Sequence, residues 1–204
     1  MDPIEDTIAL AAATRQFLAA RAGDQLTRLL ESWPDPQRIH RIRPASLPVL
    51  RYLPDAVRLS PPPCAVIAAA LARASPQLAW RHTYAAADVG EAFLANYGWT
   101  QLAGAGGPIT TDSFACGFLL LGPHTLYPSH RHPAEEFYVP LSGEALWQQG
   151  METWLSRSPG SLIHHRSEET HSMHTGAAPL LALYLWQGPA LHEPARLTDH
   201  AGTP

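Results

Sequence analysis

The chain of 204 residues contains no lysine, because all 14 of its basic residues are arginines. Schiff-base chemistry and a phosphate-binding loop of the Walker type both need a lysine amine, so both are excluded. Only two cysteines occur, Cys64 and Cys116, and their separation is far from a C-x-x-C pair. Neither a thiolate zinc site nor a dithiol redox centre is therefore indicated.

Positive charge and long apolar runs are also scarce. The net charge is −4 and no basic run occurs, so a nucleic-acid surface is not predicted. No apolar run approaches the roughly 20 residues of a membrane span, and the acidic N-terminus lacks the basic segment of a secretory signal. Apolar residues make up 46% of the chain, enough for a sizeable core. We expect a soluble bacterial protein of the cytoplasm, with no membrane or nucleic-acid partner.

The N-terminal half has the apolar spacing of helices. Helical periodicity runs over residues 4–32 and is ended by Pro34, and shorter helices are predicted over 64–73 and 85–96. The proline-rich residues 34–63 are expected to form irregular connections. These helices are expected to pack over the outer face of a sheet, with a lid over a pocket as the alternative.

The composition changes at about residue 109, where β-forming residues and closely spaced turn signals begin. Residues 180–186 alternate cleanly, with leucines on one face and Ala182, Tyr184 and Trp186 on the other. Short strands at this spacing indicate an all-β barrel or jelly roll. We therefore predict a helical extension over 1–108, a barrel over 109–190 and an irregular tail over 191–204.

A cluster of metal-ligating side chains lies early in the predicted barrel. His130, His132, Glu136 and Tyr138 share one parity, so on an extended strand they would project to the same face. Two imidazoles and a carboxylate suit Fe(II), Mn, Ni or Zn. The H-x-H pair alone would be a weak signal, and the glutamate four residues later strengthens it.

Two motifs resemble those of the cupin superfamily. The pattern H-x-H-x3-E-x6-G, which ends at Gly143, resembles the first cupin motif. Pro159 and Gly160, followed eleven residues later by a histidine, resemble the second, although Arg166 stands where most cupins have a proline. The resemblance implies a mainly β cupin barrel holding one divalent transition metal ion. The ligands that it implies are His130, His132, Glu136 and His171.

Additional aromatic residues limit the resemblance to one branch of the cupin superfamily. The sequence Y-x-x-H-x-H begins at Tyr127, E-x-Y ends at Tyr138, and a late strand carries Tyr184 and Trp186. This combination looks like the cupin dimethylsulfoniopropionate (DMSP) lyases. The resemblance implies a metal-dependent carbon–sulfur lyase that forms dimethyl sulfide and acrylate by β-elimination, with a tyrosine as the general base. Its substrate is a zwitterion with a carboxylate and a sulfonium group.

Strand parity favours Tyr138 as the base. The direction of the Tyr127 side chain cannot be predicted in the same way, because Pro128 bends the chain beside it. Tyr184, Trp186 and Trp147 could hold the sulfonium by cation–π contacts. Five further histidines of the predicted barrel and tail are expected at the surface or around the ligands. They are His124, His164, His165, His174 and His192, of which His165 and His174 are the alternatives to His171.

Two other functions remain open on sequence grounds, because cupins host many reactions. One is another metal-dependent cupin enzyme, such as a dioxygenase acting on a small carboxylate or an isomerase. The other is a small-molecule-binding cupin without catalysis. The chain is expected to be a monomer or a homodimer.

Overall fold

The computed structural model, which describes residues 3–21, 23–34 and 39–198, contains two antiparallel sheets. The strands are β1 (Trp80–Arg81), β2 (Tyr97–Ala103), β3 (Ala115–Leu121), β4 (Leu126–Arg131), β5 (Glu135–Ser142), β6 (Ala145–Gln149), β7 (Leu155–Arg157), β8 (Ile163–His165), β9 (His171–Thr175), β10 (Leu180–Gln187) and β11 (Arg196–Leu197). One sheet has the order β1-β2-β3-β10-β5-β8 and the other the order β11-β4-β9-β6-β7. Strands β4 and β5, which follow each other in the chain, therefore lie in different sheets.

The helices precede the sheets in the chain. They are α1 (Pro3–Ala19), α2 (Asp24–Glu31), α3 (Leu53–Arg58), α4 (Pro62–Ala74), α5 (Ala86–Val89) and α6 (Glu91–Leu94). The helix predicted over 64–73 is confirmed as α4 and begins two residues earlier, because proline is accepted in the first turn of a helix. The prediction of irregular structure over 34–63 is wrong at 48–58, where a 3₁₀ turn leads into α3. Residues 35–38 of that prediction lie outside the described part of the chain.

The predicted helix over 85–96 is interrupted. Gly90 has a φ of +79°, which ends α5 after four residues, and α6 begins at the next residue. The chain then enters β2 at Tyr97, and β2 pairs with β3 along its length. Two strands of the six-stranded sheet, β1 and β2, thus come from the range that was expected to be helical. Strand β11 likewise comes from the range expected to be irregular and pairs with β4.

One core cluster joins the helices to the outer face of the six-stranded sheet. Buried residues of α1 and α4, among them Leu10, Leu18 and Leu71, belong to the same cluster as Leu183 of β10. The leucine face of β10 therefore packs beneath the helices, as its alternation predicts. In the structure, α1 and α4 share this core with the outer face of the sheet.

A second core cluster lies between the two sheets. It takes Leu119, Ala182 and Tyr184 from the six-stranded sheet and Trp147 and Met173 from the other. The opposite face of β10 thus points into the barrel.

We expect Leu183→Ala to destabilise the protein by about 2–5 kcal/mol, because deleting buried methyl groups leaves a cavity under the helices. Leu155→Ala is the matched control, since Leu155 is 46% exposed and Leu183 is fully buried. Urea unfolding followed by circular dichroism measures both. Equal stability losses in the two variants would contradict the placement of β10 at the centre of this core.

Candidate active site

The four clustered residues of the first motif reach the site from two strands. His130 lies on β4 and His132 just beyond it, whereas Glu136 and Tyr138 lie on β5. The expectation that they project from one extended ribbon is therefore wrong, because the chain crosses from one sheet to the other between them. A hydrogen bond of 2.9 Å between Nδ1 of His132 and the carbonyl of Ala134 holds this crossing. All four side chains nevertheless line one cavity.

Three of the four predicted metal ligands form a tight buried group. One donor atom each from His132, Glu136 and His171 lies within 4.8 Å of the others. Nε2 of His132 is 2.9 Å from Oε2 of Glu136, and Nε2 of His171 is 3.2 Å from the same oxygen. The strand β9 supplies His171 from the five-stranded sheet, so the group joins both sheets.

The backbone orients each of the predicted histidine ligands in the same way. Nδ1 of His130, His132 and His171 lies 2.9–3.0 Å from the carbonyls of residues 128, 134 and 169 respectively. A carbonyl only accepts, so each Nδ1 carries the proton and each Nε2 is directed inward. This arrangement is typical of metal-binding histidines. Nε2 of His171 is also buried and makes no hydrogen bond, since this nitrogen and the Glu136 oxygen 3.2 Å away are both acceptors, and a metal ion would serve both.

His130 lies beside the group. Its ring centroid is 4.1 Å from that of His171, and its other face stacks on Tyr127 at 4.0 Å. Burial and the neighbouring His171 hold the pKa of His130 well below its usual range. A neutral imidazole next to the three clustered donors is consistent with a fourth ligand, which remains a prediction.

The Glu136 carboxylate is the negative centre of the group. Burial opposes its ionisation, but His132 and His171 outweigh burial and hold the pKa of Glu136 well below its usual range. For His132, burial lowers the pKa and the carboxylate raises it, and the net shift is upward. An ionised carboxylate between two imidazoles is a donor set that suits a transition metal ion.

His165 was expected at the surface or around the ligands, and it is buried directly behind them. Its ring stacks on His171 with centroids 4.0 Å apart, and burial, followed by the nearby His171, lowers the pKa of His165 to about 2. The clustered group contains His171, not His165 or His174, so the structure favours the ligand that the second motif indicates.

Both candidate tyrosines line the cavity and are buried. The hydroxyl of Tyr127 lies 3.1 Å from that of Tyr84 and 3.3 Å from that of Tyr97. Burial raises the pKa of Tyr138 well above its usual range, and the adjacent Glu136 carboxylate raises it further. In the protein alone both phenols therefore carry their protons, since burial also raises the pKa of Tyr127.

Of the three aromatic residues predicted to hold a cation, two line the cavity and one does not. Trp186 and Tyr184 line the cavity, and Nε1 of Trp186 donates a hydrogen bond of 2.7 Å to Oε1 of Glu136. The ring of Trp186 also stacks on His132 at 4.2 Å. Trp147 is not among the lining residues and packs behind Tyr138, with ring centroids 5.2 Å apart.

Several lining residues were not identified from the sequence. The cavity has a volume of about 520 Å³, and part of its wall consists of Arg81, Thr83, Tyr97 and Trp99. These residues lie in or next to β1 and β2, which the composition did not separate from the helical part. The β-forming run at 97–100 was the available signal. Residues 188–195, which span the end of the predicted barrel and the start of the predicted tail, line the same cavity, whereas no described residue of α1–α4 does.

Known proteins match this chain along most of its length. The family model described as dimethylsulfoniopropionate lyase matches residues 19–182. The chain belongs to the DMSP lyase family. A 173-residue match at 30% identity to the dimethylsulfoniopropionate lyase DddQ of Ruegeria pomeroyi covers 85% of this chain and 86% of that protein. A putative DMSP lyase, DddL of Cereibacter sphaeroides, is 35% identical over 121 residues, which are 58% of this chain and 50% of that protein.

Solved structures of the family have the same architecture. The crystal structure of DddQ from Ruegeria pomeroyi superposes with a TM-score of 0.82 at 29% identity, covering all of both chains. A chain from the crystal structures of the DMSP lyases RdDddP and RnDddQII gives 0.84 at 31% identity, with 97% of this chain and all of that chain covered. The predicted mainly β cupin barrel with helices before it is thereby confirmed. Among the described residues, no helix is long and apolar enough to cross a membrane.

We expect His132→Ala and His171→Ala to lose bound metal without unfolding, because each removes one inward Nε2 from the group. Metal content after loading with Fe(II) or Zn is measured by elemental analysis, and folding by thermal melting. His164→Ala is the control, since His164 is part-exposed and pairs with Glu135 at 2.6 Å outside the group. Full metal occupancy in both test variants would refute the assignment.

Proposed function

We propose that this chain cleaves DMSP by β-elimination and releases dimethyl sulfide and acrylate. The observation that carries the proposal is the buried group of His132, Glu136 and His171, because His132 and Glu136 line one cavity together with two tyrosines and an aromatic wall. Family membership and the similarity to the lyase DddQ support the same reaction.

The donor set fits one divalent transition metal ion, Fe(II), Zn, Mn or Ni, held by His132, Glu136 and His171 with His130 as a fourth ligand. When bound, such an ion would offset the Glu136 charge, lower the pKa of the Tyr138 phenol and stabilise negative charge on the substrate carboxylate. The remaining chemistry is assigned to the side chains of the chain itself.

The aromatic wall would take the cationic end of the substrate. Trp186 and Tyr184 are 6.2 Å apart between ring centroids, and Trp99 continues the wall 6.4 Å beyond Tyr184. A sulfonium group against such rings gains ~0.5–2 kcal/mol per cation–π contact. The carboxylate end then lies toward the tyrosine hydroxyls.

Tyr138 takes the proton from the carbon next to the carboxylate in this proposal. The electron pair of that C–H bond forms the carbon–carbon double bond, and the C–S bond breaks. Dimethyl sulfide leaves as a neutral molecule and needs no acid. Tyr138 is favoured because it lines the cavity two residues beyond Glu136, and Tyr127, whose hydroxyl is held by two other phenols, would orient the carboxylate.

The proposal is tested by incubating the metal-loaded protein with DMSP and measuring dimethyl sulfide in the headspace and acrylate in solution. We expect equal amounts of the two products, and loss of both after treatment with a chelator. Absence of dimethyl sulfide with all four metals would overturn the proposal. Oxygen consumption with a small carboxylate would instead indicate a dioxygenase.

Tyr138→Phe should lower kcat by ~10²–10⁴-fold, the usual cost of removing a general base, while the ring and bound metal remain. Steady-state kinetics with DMSP measure the loss, and elemental analysis measures the metal. Tyr52→Phe is the matched control, because the Tyr52 hydroxyl accepts a hydrogen bond from Arg51 away from the cavity. Substantial turnover by Tyr138→Phe together with an inactive Tyr127→Phe would contradict this assignment and make Tyr127 the base.

A further inference from the structure

Four hydroxyl groups form a hydrogen-bonded chain that ends at the cavity. Oγ1 of Thr83 is 2.8 Å from the hydroxyl of Tyr97, which is 3.3 Å from that of Tyr127. The hydroxyl of Tyr84 approaches Tyr127 from another direction at 3.1 Å. We call these four groups the hydroxyl chain.

The hydroxyl chain joins the two sheets. Thr83 and Tyr84 lie between β1 and α5, and Tyr97 begins β2, whereas Tyr127 lies on β4 of the other sheet. The rings are held by packing, since Tyr97 stacks on Phe93 at 4.8 Å and Tyr127 is 5.0 Å from Tyr97. The segment before the barrel therefore determines where a hydroxyl in the barrel points.

These contacts satisfy the buried hydroxyl of Tyr127, but Tyr97 and Tyr84 do not need them for their own hydroxyls. Tyr97 already has Thr83 as a partner at 2.8 Å, so its hydroxyl is satisfied without Tyr127. Tyr84 is only partly buried, so solvent reaches part of its side chain. Both phenols are nonetheless directed at Tyr127.

The number of protons limits how the hydroxyl chain can be arranged. Each hydroxyl carries a single proton and accepts with its lone pairs. If Tyr127 donates to a neighbour, it has no proton left for a ligand in the cavity. If Thr83 donates to Tyr97, and both Tyr97 and Tyr84 donate to Tyr127, the proton of Tyr127 stays free. An anionic group in the cavity favours this second arrangement, because a hydrogen bond to a charged acceptor is stronger than one between neutral hydroxyls.

We propose that Tyr97 and Tyr84 are positioning residues, whose hydroxyls donate to Tyr127 and thereby present its proton to the substrate carboxylate. Thr83 sets the direction of the hydroxyl chain by donating to Tyr97. This inference rests on the proposed function, because it requires a carboxylate-bearing substrate.

The test is a double-mutant cycle with DMSP as substrate. Tyr97→Phe and Tyr84→Phe are each made in the wild-type and in the Tyr127→Phe background, and phenylalanine keeps the rings that pack. Each single variant should lower kcat/KM about 3–10-fold, the equivalent of one neutral hydrogen bond. In each single variant, the lower kcat/KM should come from kcat and KM in the same proportion as in Tyr127→Phe. When Tyr127 is already phenylalanine, replacing Tyr97 or Tyr84 should cause no additional loss of kcat/KM.

A second pair of variants keeps the test decisive if Tyr127→Phe is too slow to measure. Thr83→Val should reproduce the loss of Tyr97→Phe, and Thr83→Ser should restore activity because it returns the hydroxyl. Tyr52→Phe should match the wild type, and all variants should retain the wild-type metal content.

Three results would overturn the inference. They are unchanged kinetics in Tyr97→Phe and Tyr84→Phe, losses that add to that of Tyr127→Phe, and equal activities in Thr83→Val and Thr83→Ser. Each leaves the proposed function standing if the wild type forms dimethyl sulfide. A wild type that forms none overturns the proposed function itself, and the inference with it.

Discussion

The ionised Glu136 carboxylate is the constraint on which the rest of the site depends. Its side chain is 1% exposed, and an unpaired buried charge would cost several kcal/mol. Three groups lie against the carboxylate: Nε2 of His132 and Nε2 of His171, at 2.9 and 3.2 Å from Oε2, and the indole N–H of Trp186, which donates to Oε1. These partners come from the β4–β5 crossing, β9 and β10, so pairing one carboxylate fixes the relative position of both sheets.

The two faces of the six-stranded sheet have different roles, because the outer face forms the core and the inner face carries the site. Its outer face is apolar and packs under α1 and α4, which supply a large core that needs no polar partner. Its inner face can then carry Glu136, Tyr138 and Tyr184 on neighbouring strands β5 and β10. Because β5 and β10 pair in register, Glu136 lies directly opposite Trp186, and this pairing brings the indole N–H to the carboxylate.

The local motifs made part of the site predictable. His132 and Glu136 lie close together in sequence, and the second motif indicated His171 by its spacing from Gly160; the structure brings these three side chains together. The alternation of β10 also predicted which residues face the barrel interior. In contrast, strand parity gave the wrong reason for the convergence of the first motif, because it assumed one strand where the chain crosses between two sheets.

The remaining wall of the cavity depends on strand pairing that cannot be predicted from a local sequence pattern. Tyr97 and Trp99 are about 30 residues from the first motif, and only the pairing of β2 with β3 brings them to the cavity. Trp147 shows the opposite case, since its strand parity is compatible with the interior but Tyr138 lies between it and the cavity.

The most direct test of this account is the anomalous diffraction of crystals of the metal-loaded protein. The account predicts one strong peak at a distance of about 2.0–2.2 Å from Nε2 of His132, an oxygen of Glu136 and Nε2 of His171, as expected for these ligand types. A fully occupied metal peak elsewhere, with the Glu136 carboxylate still bonded only to its protein partners, would contradict it.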